Sequence, residues 1–146
     1  MKVHQIQVGN MQNFTYIVED EDTSEAIIID PSWDLVELEV VIKQNNLKIK
    51  YIVNTHHHFD HTQGNEAMAE STKAPIVQHE ASELRKDITV KDGDFIEFGN
   101  SKLKVIHTPG HTQGSSCFFE EKQKLLFSGD TLFKLNRGRT DLEGGD

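Results

Sequence analysis

The sequence predicts an α/β fold, a sandwich with mixed β-sheets, on three observations. In the first half of the chain, short apolar runs rich in β-branched residues alternate with stretches of helical periodicity. In the second half, closely spaced strands follow one another and end in a hairpin. The length of 146 residues and an apolar content of 36% are compatible with one packed core. We therefore expect residues 1–146 to form a single domain.

The first half is predicted to contain five strands, at residues 2–8, 14–19, 25–30, 50–53 and 75–78. Pro31 ends the third strand, and Ser32 is predicted to cap a helix over about residues 34–45. A second helix is expected from near Thr62 to Ser71, and a helical turn over residues 80–86. The second half is predicted to form strands at residues 95–98, 103–106, 116–120 and 125–127.

Charge and cysteine content exclude several classes of protein. The formal net charge of −9 disfavours binding to DNA or RNA, and with it the RNA-processing nucleases, because such binding depends on clustered Lys and Arg. A single cysteine, Cys117, permits no intramolecular disulfide and favours a reducing compartment. No apolar run approaches the roughly 20 residues that span a bilayer, and the N-terminus lacks a secretory pattern. We expect a cytoplasmic protein that binds neither nucleic acid nor membrane.

Histidines cluster directly after the predicted strand at residues 50–53. In an extended segment, residues two apart lie on the same side, so His56 and His58 can bind one metal ion. Asp60 and His61 converge only if the chain turns into a helix, and they then form a second pair of ligands. His57 is expected to point away. The alternative is a polar loop that traps metal weakly at the surface.

Two later segments offer further ligands at strand ends. The Pro109-Gly110 turn can direct His111 back past the strand end, with His107 as support for that strand. Asp130 follows Gly129 at the end of the last clear strand, where its carboxylate can bridge two cations. We expect Asp30, at another strand end, to hold the metal loop by hydrogen bonds.

Together these motifs resemble the metallo-β-lactamase superfamily, and residues 107–115 and 138–146 are most similar to its small glyoxalase II-type hydrolases. The resemblance implies an αββα sandwich with a metal site in the cleft between the sheets. It implies that a first metal is bound by His56, His58 and His111, that a second is bound by Asp60 and His61, and that Asp130 bridges them. Members of the family continue with a helix, a strand and a last metal-binding histidine in a Pro-Gly-His-Gly turn, which this sequence does not contain. We therefore expect a C-terminally incomplete domain, which is either a truncated product or is completed by a dimer mate or another chain.

The function implied by the resemblance is hydrolysis of a thioester of the hydroxyacylglutathione type. Two divalent ions are expected, zinc first, with iron or manganese as alternatives; a metal-bound water reaches a pKa of about 7 and so supplies hydroxide. Asp60 is the predicted catalytic residue, orienting that hydroxide. One alternative is a mononuclear iron persulfide dioxygenase that uses His56, His111 and Asp130 as a two-histidine, one-carboxylate set. The other is a non-catalytic fragment that needs a partner chain.

Overall fold

The computed structural model describes residues 1–142 and 144–146, and its larger sheet has six strands in the order β1-β2-β3-β4-β5-β6. Strand β2 is antiparallel to both β1 and β3, and β3 to β6 are parallel. Three helices are inserted between the parallel strands: α1 and the pair α2 and α3. The elements are β1 Lys2–Val8, β2 Asn13–Glu19, β3 Glu25–Ile29, α1 Val36–Gln44, β4 Lys48–Val53, α2 Phe59–Thr62, α3 Asn65–Thr72, β5 Ile76–His79 and β6 Ile88–Val90.

The smaller sheet is an antiparallel meander in the order β10-β9-β8-β7, followed by a two-stranded ribbon. Its strands are β7 Phe95–Phe98, β8 Ser101–His107, β9 Ser116–Glu120 and β10 Leu125–Phe127. The ribbon pairs β11 Leu132–Phe133 with β12 Asn136–Arg137 directly after Asp130. The ribbon therefore begins two residues after the residue expected to bridge two metals.

Alternation of side chains along the strands of the larger sheet builds two separate cores. One face packs against the smaller sheet, and this inter-sheet core includes Val18, Ile27, Ile29, Val53, Phe98, Leu103, Val105 and Phe118. The other face packs against α1 and α3 through Ile17, Ile28, Ile52, Leu38 and Met68. The layers run helix, sheet, sheet, which confirms the predicted sandwich. Along residues 1–142 and 144–146, no helix follows the smaller sheet.

The predicted helix boundaries near the metal loop are wrong, because close backbone contacts displace them. Helix α1 begins at Val36, and the Ser32 hydroxyl donates to the Asp60 carbonyl oxygen rather than capping the helix. The helix predicted from Thr62 is two helices, separated at Gly64, whose amide donates to the Pro31 carbonyl oxygen at 3.0 Å. A Cβ at Gly64 would collide with that carbonyl, so only glycine permits this approach.

The segment at residues 80–86 contains a turn at residues 80–81 and no helix, so the expected helical turn is wrong. Ser82 donates from its amide to the His79 carbonyl oxygen and from its hydroxyl to Gln78, which holds the chain against the end of β5. Strand β6, which pairs in parallel with β5, was absent from the sequence prediction because three residues are too short to show a period. Within the described residues, no helix has the length and apolar content to cross a membrane.

Candidate metal centre

Strand ends of both sheets converge at one edge of the sandwich. The chain leaves β4 at Val53 and reaches His56 three residues later, still without helical structure. Asn54 fixes the return of the chain, because its side-chain amide donates to the His61 carbonyl oxygen and exchanges hydrogen bonds with Asn65. Asp60 and His61 lie in the first turn of α2, which starts earlier than expected but supplies the turn that brings them together.

Three imidazoles form the first donor group. His56, His58 and His111 each offer a ligand atom, and these atoms all lie within 4.8 Å of one another. Their ring centroids are 4.7 to 4.8 Å apart. His111 is carried there by the turn after β8, in which Thr112 and Ser115 hydrogen-bond to each other. Three convergent imidazoles are a donor set that suits zinc or iron.

Asp130 lies between this group and a second donor group, which consists of His61 and Asp60. Its Oδ2 lies 3.4 Å from His111 Nε2, and its Oδ1 lies 3.3 Å from His61 Nε2. His61 Nε2 is also 3.7 Å from the Asp60 carboxylate. The two oxygens of Asp130 thus face different donor groups, as the bridging role expected of it requires.

In His56, His61 and His111, a hydrogen bond at Nδ1 directs Nε2 into the centre. His56 Nδ1 donates to the Thr55 hydroxyl at 3.0 Å, since that hydroxyl gives its own proton to Asp30. His111 Nδ1 donates to the Arg139 carbonyl oxygen at 2.7 Å. Within residues 1–142 and 144–146, the buried Nε2 atoms of His56, His61 and His111 find no hydrogen-bond partner. Buried polar atoms without partners are costly, and metal ions held by the two donor groups would satisfy all three, so these residues fit the metals that the fold implies.

Asp30 lies close enough to His56 and His61 to be counted among possible donors, yet its oxygens are already engaged. Its Oδ1 accepts from the Thr55 amide at 2.7 Å, and its Oδ2 accepts from the Thr55 hydroxyl at 2.6 Å and from His61 Nδ1 at 3.0 Å. A carboxylate behind a histidine is the usual way to orient a metal ligand. The geometry agrees with the supporting role predicted for Asp30.

Asp60 is held by two contacts that the sequence did not predict. The Asn13 side chain donates to Asp60 Oδ2 at 2.8 Å, and the Ser32 hydroxyl donates to the Asp60 carbonyl oxygen at 2.5 Å. Both contacts join segments far apart in the chain, and one polar residue at a strand start carries no sequence signal for them. The Thr55 and Arg139 contacts were missed for the same reason.

The charges of the centre separate its histidines. Burial, with the neighbouring imidazoles of His61 and His111, holds the pKa of His56 well below its ordinary value, so His56 is neutral. Burial alone would lower the pKa of His61, but the nearby carboxylates of Asp130 and Asp30 outweigh it and raise that pKa to about 10. The pKa of Asp130 is lowered, since the nearby histidines outweigh its burial. A metal ion that binds His61 must therefore displace a proton.

The remaining histidines named from the sequence lie outside both donor groups. His107 stacks on His79 with ring centroids 3.8 Å apart, and its Nε2 donates to the Gln113 carbonyl oxygen at 2.8 Å. This contact agrees with the strand-end support predicted for His107. His57 is half-buried beside His58, with ring centroids 5.1 Å apart.

Two glycines allow Asp130 to reach the centre. Gly129 has φ +48°, and a Cβ there would collide with the Thr55 side chain. Gly138, at the end of the β11–β12 ribbon, passes so close that a Cβ would collide with the Asp130 carbonyl oxygen. The segments before and after Asp130 therefore approach their neighbours so closely that glycine is required at both positions.

The fold and this constellation define a class of protein. The sequence pattern of the metallo-beta-lactamase superfamily matches residues 8–146, and the chain therefore belongs to that superfamily. Among curated relatives, hydroxyacylglutathione hydrolase of Francisella philomiragia is 40% identical over 94% of this chain. The match covers 54% of that relative, so the chain spans about half the length of the curated relatives of that name.

Solved structures agree on the fold. The chain is similar to the BLEG-1 B3 metallo-beta-lactamase, with a TM-score of 0.89 and 30% identity over 99% of this chain and 79% of that one. It is also similar to ETHE1 from Myxococcus xanthus, with a TM-score of 0.91 and 29% identity over 100% of this chain and 64% of that one. The metallo-β-lactamase fold expected from the resemblance is confirmed, with the helix, sheet and sheet layers of the αββα sandwich present in the described residues, and this fold implies divalent metals at the grouped donors.

Proposed function

We propose that the protein is a metal-dependent hydrolase that cleaves a thioester of the hydroxyacylglutathione type. The observation that carries the proposal is the pair of donor groups joined by Asp130, whose two oxygens face His61 and His111 separately. The curated relatives named hydroxyacylglutathione hydrolase support the substrate class. The proposed ligands are His56, His58 and His111 for one ion, Asp60 and His61 for a second, and Asp130 for both.

Two divalent ions, zinc first, would lower the pKa of a coordinated water from 15.7 to about 7 and polarise the scissile carbonyl. Asp60 is the proposed catalytic residue. Because Asn13 holds its carboxylate and Ser32 its carbonyl oxygen, Asp60 is fixed before substrate binds and can orient the attacking water. A thiol leaving group has a pKa near 8.5, so it departs as thiolate without a strong general acid.

A second candidate function uses a single ion. His56, His111 and Asp130 form the two-histidine, one-carboxylate set of non-haem Fe(II) oxygenases. The 3.4 Å approach of Asp130 Oδ2 to His111 Nε2, together with the similarity to ETHE1, favours this set over other single-ion arrangements. A persulfide dioxygenase of this kind is the alternative to the hydrolase.

A matched pair of histidine variants tests the proposal. His111 and His107 flank the same turn, but only His111 belongs to a donor group. In the His111→Ala variant we expect metal content per chain to fall by at least one ion and thioester hydrolysis to fall about 100-fold or more, because loss even of a residue that supports a metal ligand costs about 10–100-fold. The His107→Ala variant is expected to keep its metal content, since His107 contacts Gln113 and His79 instead.

The measurements are elemental analysis of the purified chain and hydrolysis of a hydroxyacyl thioester. About two zinc ions and turnover in the unmodified protein support the hydrolase. One iron per chain with sulfur-dependent oxygen uptake would favour the dioxygenase. Equal metal content in the His107→Ala and His111→Ala variants would contradict the donor assignment itself.

A further inference from the structure

Two aromatic side chains stand side by side at the metal loop and remain exposed. The ring centroids of Trp33 and Phe59 are 6.1 Å apart, with 74° between the ring planes, which is an edge-to-face pair. Phe59 is 63% exposed and Trp33 is 37% exposed. Single exposed apolar residues are normal, whereas large apolar side chains exposed together mark a surface that contacts a ligand or partner.

This aromatic pair is attached to the segments that hold Asp60. Phe59 precedes Asp60 in the chain, and Trp33 follows Ser32, whose hydroxyl donates to the Asp60 carbonyl oxygen. Consecutive Cα atoms are about 3.8 Å apart, so each aromatic residue is one step from a group of the centre. Both rings therefore belong to segments that are fixed directly to Asp60.

The Trp33 ring is also held in place before any ligand binds. It lies against Gly9 in the turn between β1 and β2, where a Cβ would collide with the indole. Its backbone has φ +57°, a left-handed value that a bulky residue rarely adopts. A rigid aromatic contact loses little conformational freedom on binding, so it suits ligand recognition.

We propose that Trp33 and Phe59 form a binding subsite for an aromatic ring carried by the substrate of the metal centre. The proposal rests on the hydrolase function and names a preference within it: thioesters with an aromatic substituent. The edge-to-face arrangement leaves ring surface for a third ring to stack against. The aromatic ring can belong to the acyl group or to the thiol, and the experiment distinguishes the two.

The first test compares kcat/KM for three thioesters: an acetyl and a phenylacetyl ester of one small aliphatic thiol, and an acetyl ester of benzyl mercaptan. We expect the unmodified protein to prefer one aromatic substrate over the acetyl ester of the small thiol. The substituted side of the preferred substrate identifies the source of the ring. In the Trp33→Gly and Phe59→Ala variants, we expect this preference to fall about tenfold, the order of discrimination that apolar pocket contacts give.

Trp33→Gly suits the positive φ, so it removes the indole without straining the backbone. Phe95→Ala is the matched control, because Phe95 is 49% exposed but lies on β7 in the other sheet. We expect that control to keep the preference within about twofold, as for surface substitutions away from a site. An unchanged preference in both subsite variants, or equal losses in the control, would overturn the proposal.

A second test does not depend on turnover. Trp33 is the one tryptophan of the chain, so intrinsic tryptophan fluorescence reports on this subsite alone. We expect phenylacetate or benzyl mercaptan to change the emission saturably, acetate and mercaptoethanol to leave it unchanged, and Phe59→Ala to raise the dissociation constant about tenfold. Saturable binding without thioester turnover would refute the proposed function yet keep the subsite. Thioester turnover without any fluorescence response would support the proposed function and refute the subsite.

Discussion

The carboxylate of Asp30 orients the metal-binding histidines through its hydrogen bonds to Thr55 and His61. It fixes the Thr55 backbone and hydroxyl, and through that hydroxyl it fixes the orientation of His56. It also accepts the proton of His61 Nδ1, which leaves Nε2 directed at Asp60 and Asp130. A single buried residue thus sets the direction of one histidine in each donor group.

We predict that Asp30→Asn lowers metal affinity about 10–100-fold, the usual cost of removing a carboxylate behind metal-binding histidines. The amide keeps the shape but offers one acceptor where two oxygens now accept three hydrogen bonds. Competition with a chromophoric chelator measures the affinity.

Asp22→Asn is the matched control, because Asp22 is an exposed carboxylate in the turn between β2 and β3. Its affinity should match that of the unmodified protein. If Asp30→Asn also binds metal as tightly as the unmodified protein, Asp30 does not orient the ligands.

At the scale of elements, strands were predicted more accurately than helices, and the reason is physical. Residues 95–98, 116–120 and 125–127 match their strands in the structure, because the alternating burial of β7 and the nearly continuous burial of β9 each leave a local sequence pattern. The start of α1 was misplaced because Ser32, a good capping residue by type, is bound by Asp60 across the fold. Tertiary contacts of that kind leave no local trace.

The short β11–β12 ribbon holds Asp130 in position, and Gly138, directly after β12, packs against the Asp130 carbonyl oxygen. We predict that Gly138→Ala destabilises the fold by about 1–3 kcal/mol, the cost of overpacking, because its Cβ would collide with the Asp130 carbonyl oxygen. Displacement of Asp130 should also reduce the number of ions retained after dialysis. Thermal unfolding and elemental analysis report the two effects.

Asn136→Ala serves as the comparison, since Asn136 is exposed in the same ribbon. It should change stability by less than about 0.5 kcal/mol. A Gly138→Ala variant with unaltered stability and metal content would refute the claim that backbone contact positions Asp130.

For the whole molecule, the donor groups connect the two sheets at one edge. His56 and His58 follow β4 of the larger sheet, whereas His111 and Asp130 follow β8 and β10 of the smaller one. The location of this site was predictable, because histidines and carboxylates are concentrated directly after predicted strands, where binding residues commonly lie. The support from Asn13, Ser32 and Arg139 was not, since each contact depends on the folded arrangement. Completion of the domain by a dimer mate or partner chain stays a prediction.

A metal that joins two sheets binds the folded state only, so its removal should lower the melting temperature. At a free metal concentration 100 times the dissociation constant, the stabilisation is about 2.7 kcal/mol. For a chain of this size we expect a shift of about 5–10 °C between chelator-treated and zinc-loaded protein. Calorimetry at several zinc concentrations measures it, and a melting temperature independent of zinc would show that no ion bridges the sheets.

The order of the donors along the chain has a consequence for biosynthesis. His56, His58 and His61 leave the ribosome together. His111 emerges later, after β7 and β8, and Asp130 emerges later still, after β9 and β10. A nascent chain therefore offers an open set of imidazoles well before the closing carboxylate exists. The complete centre forms only when β10 has paired with β9 and the ribbon has folded behind it. A metal ion held by the complete donor set can therefore be bound only after Asp130 has been translated.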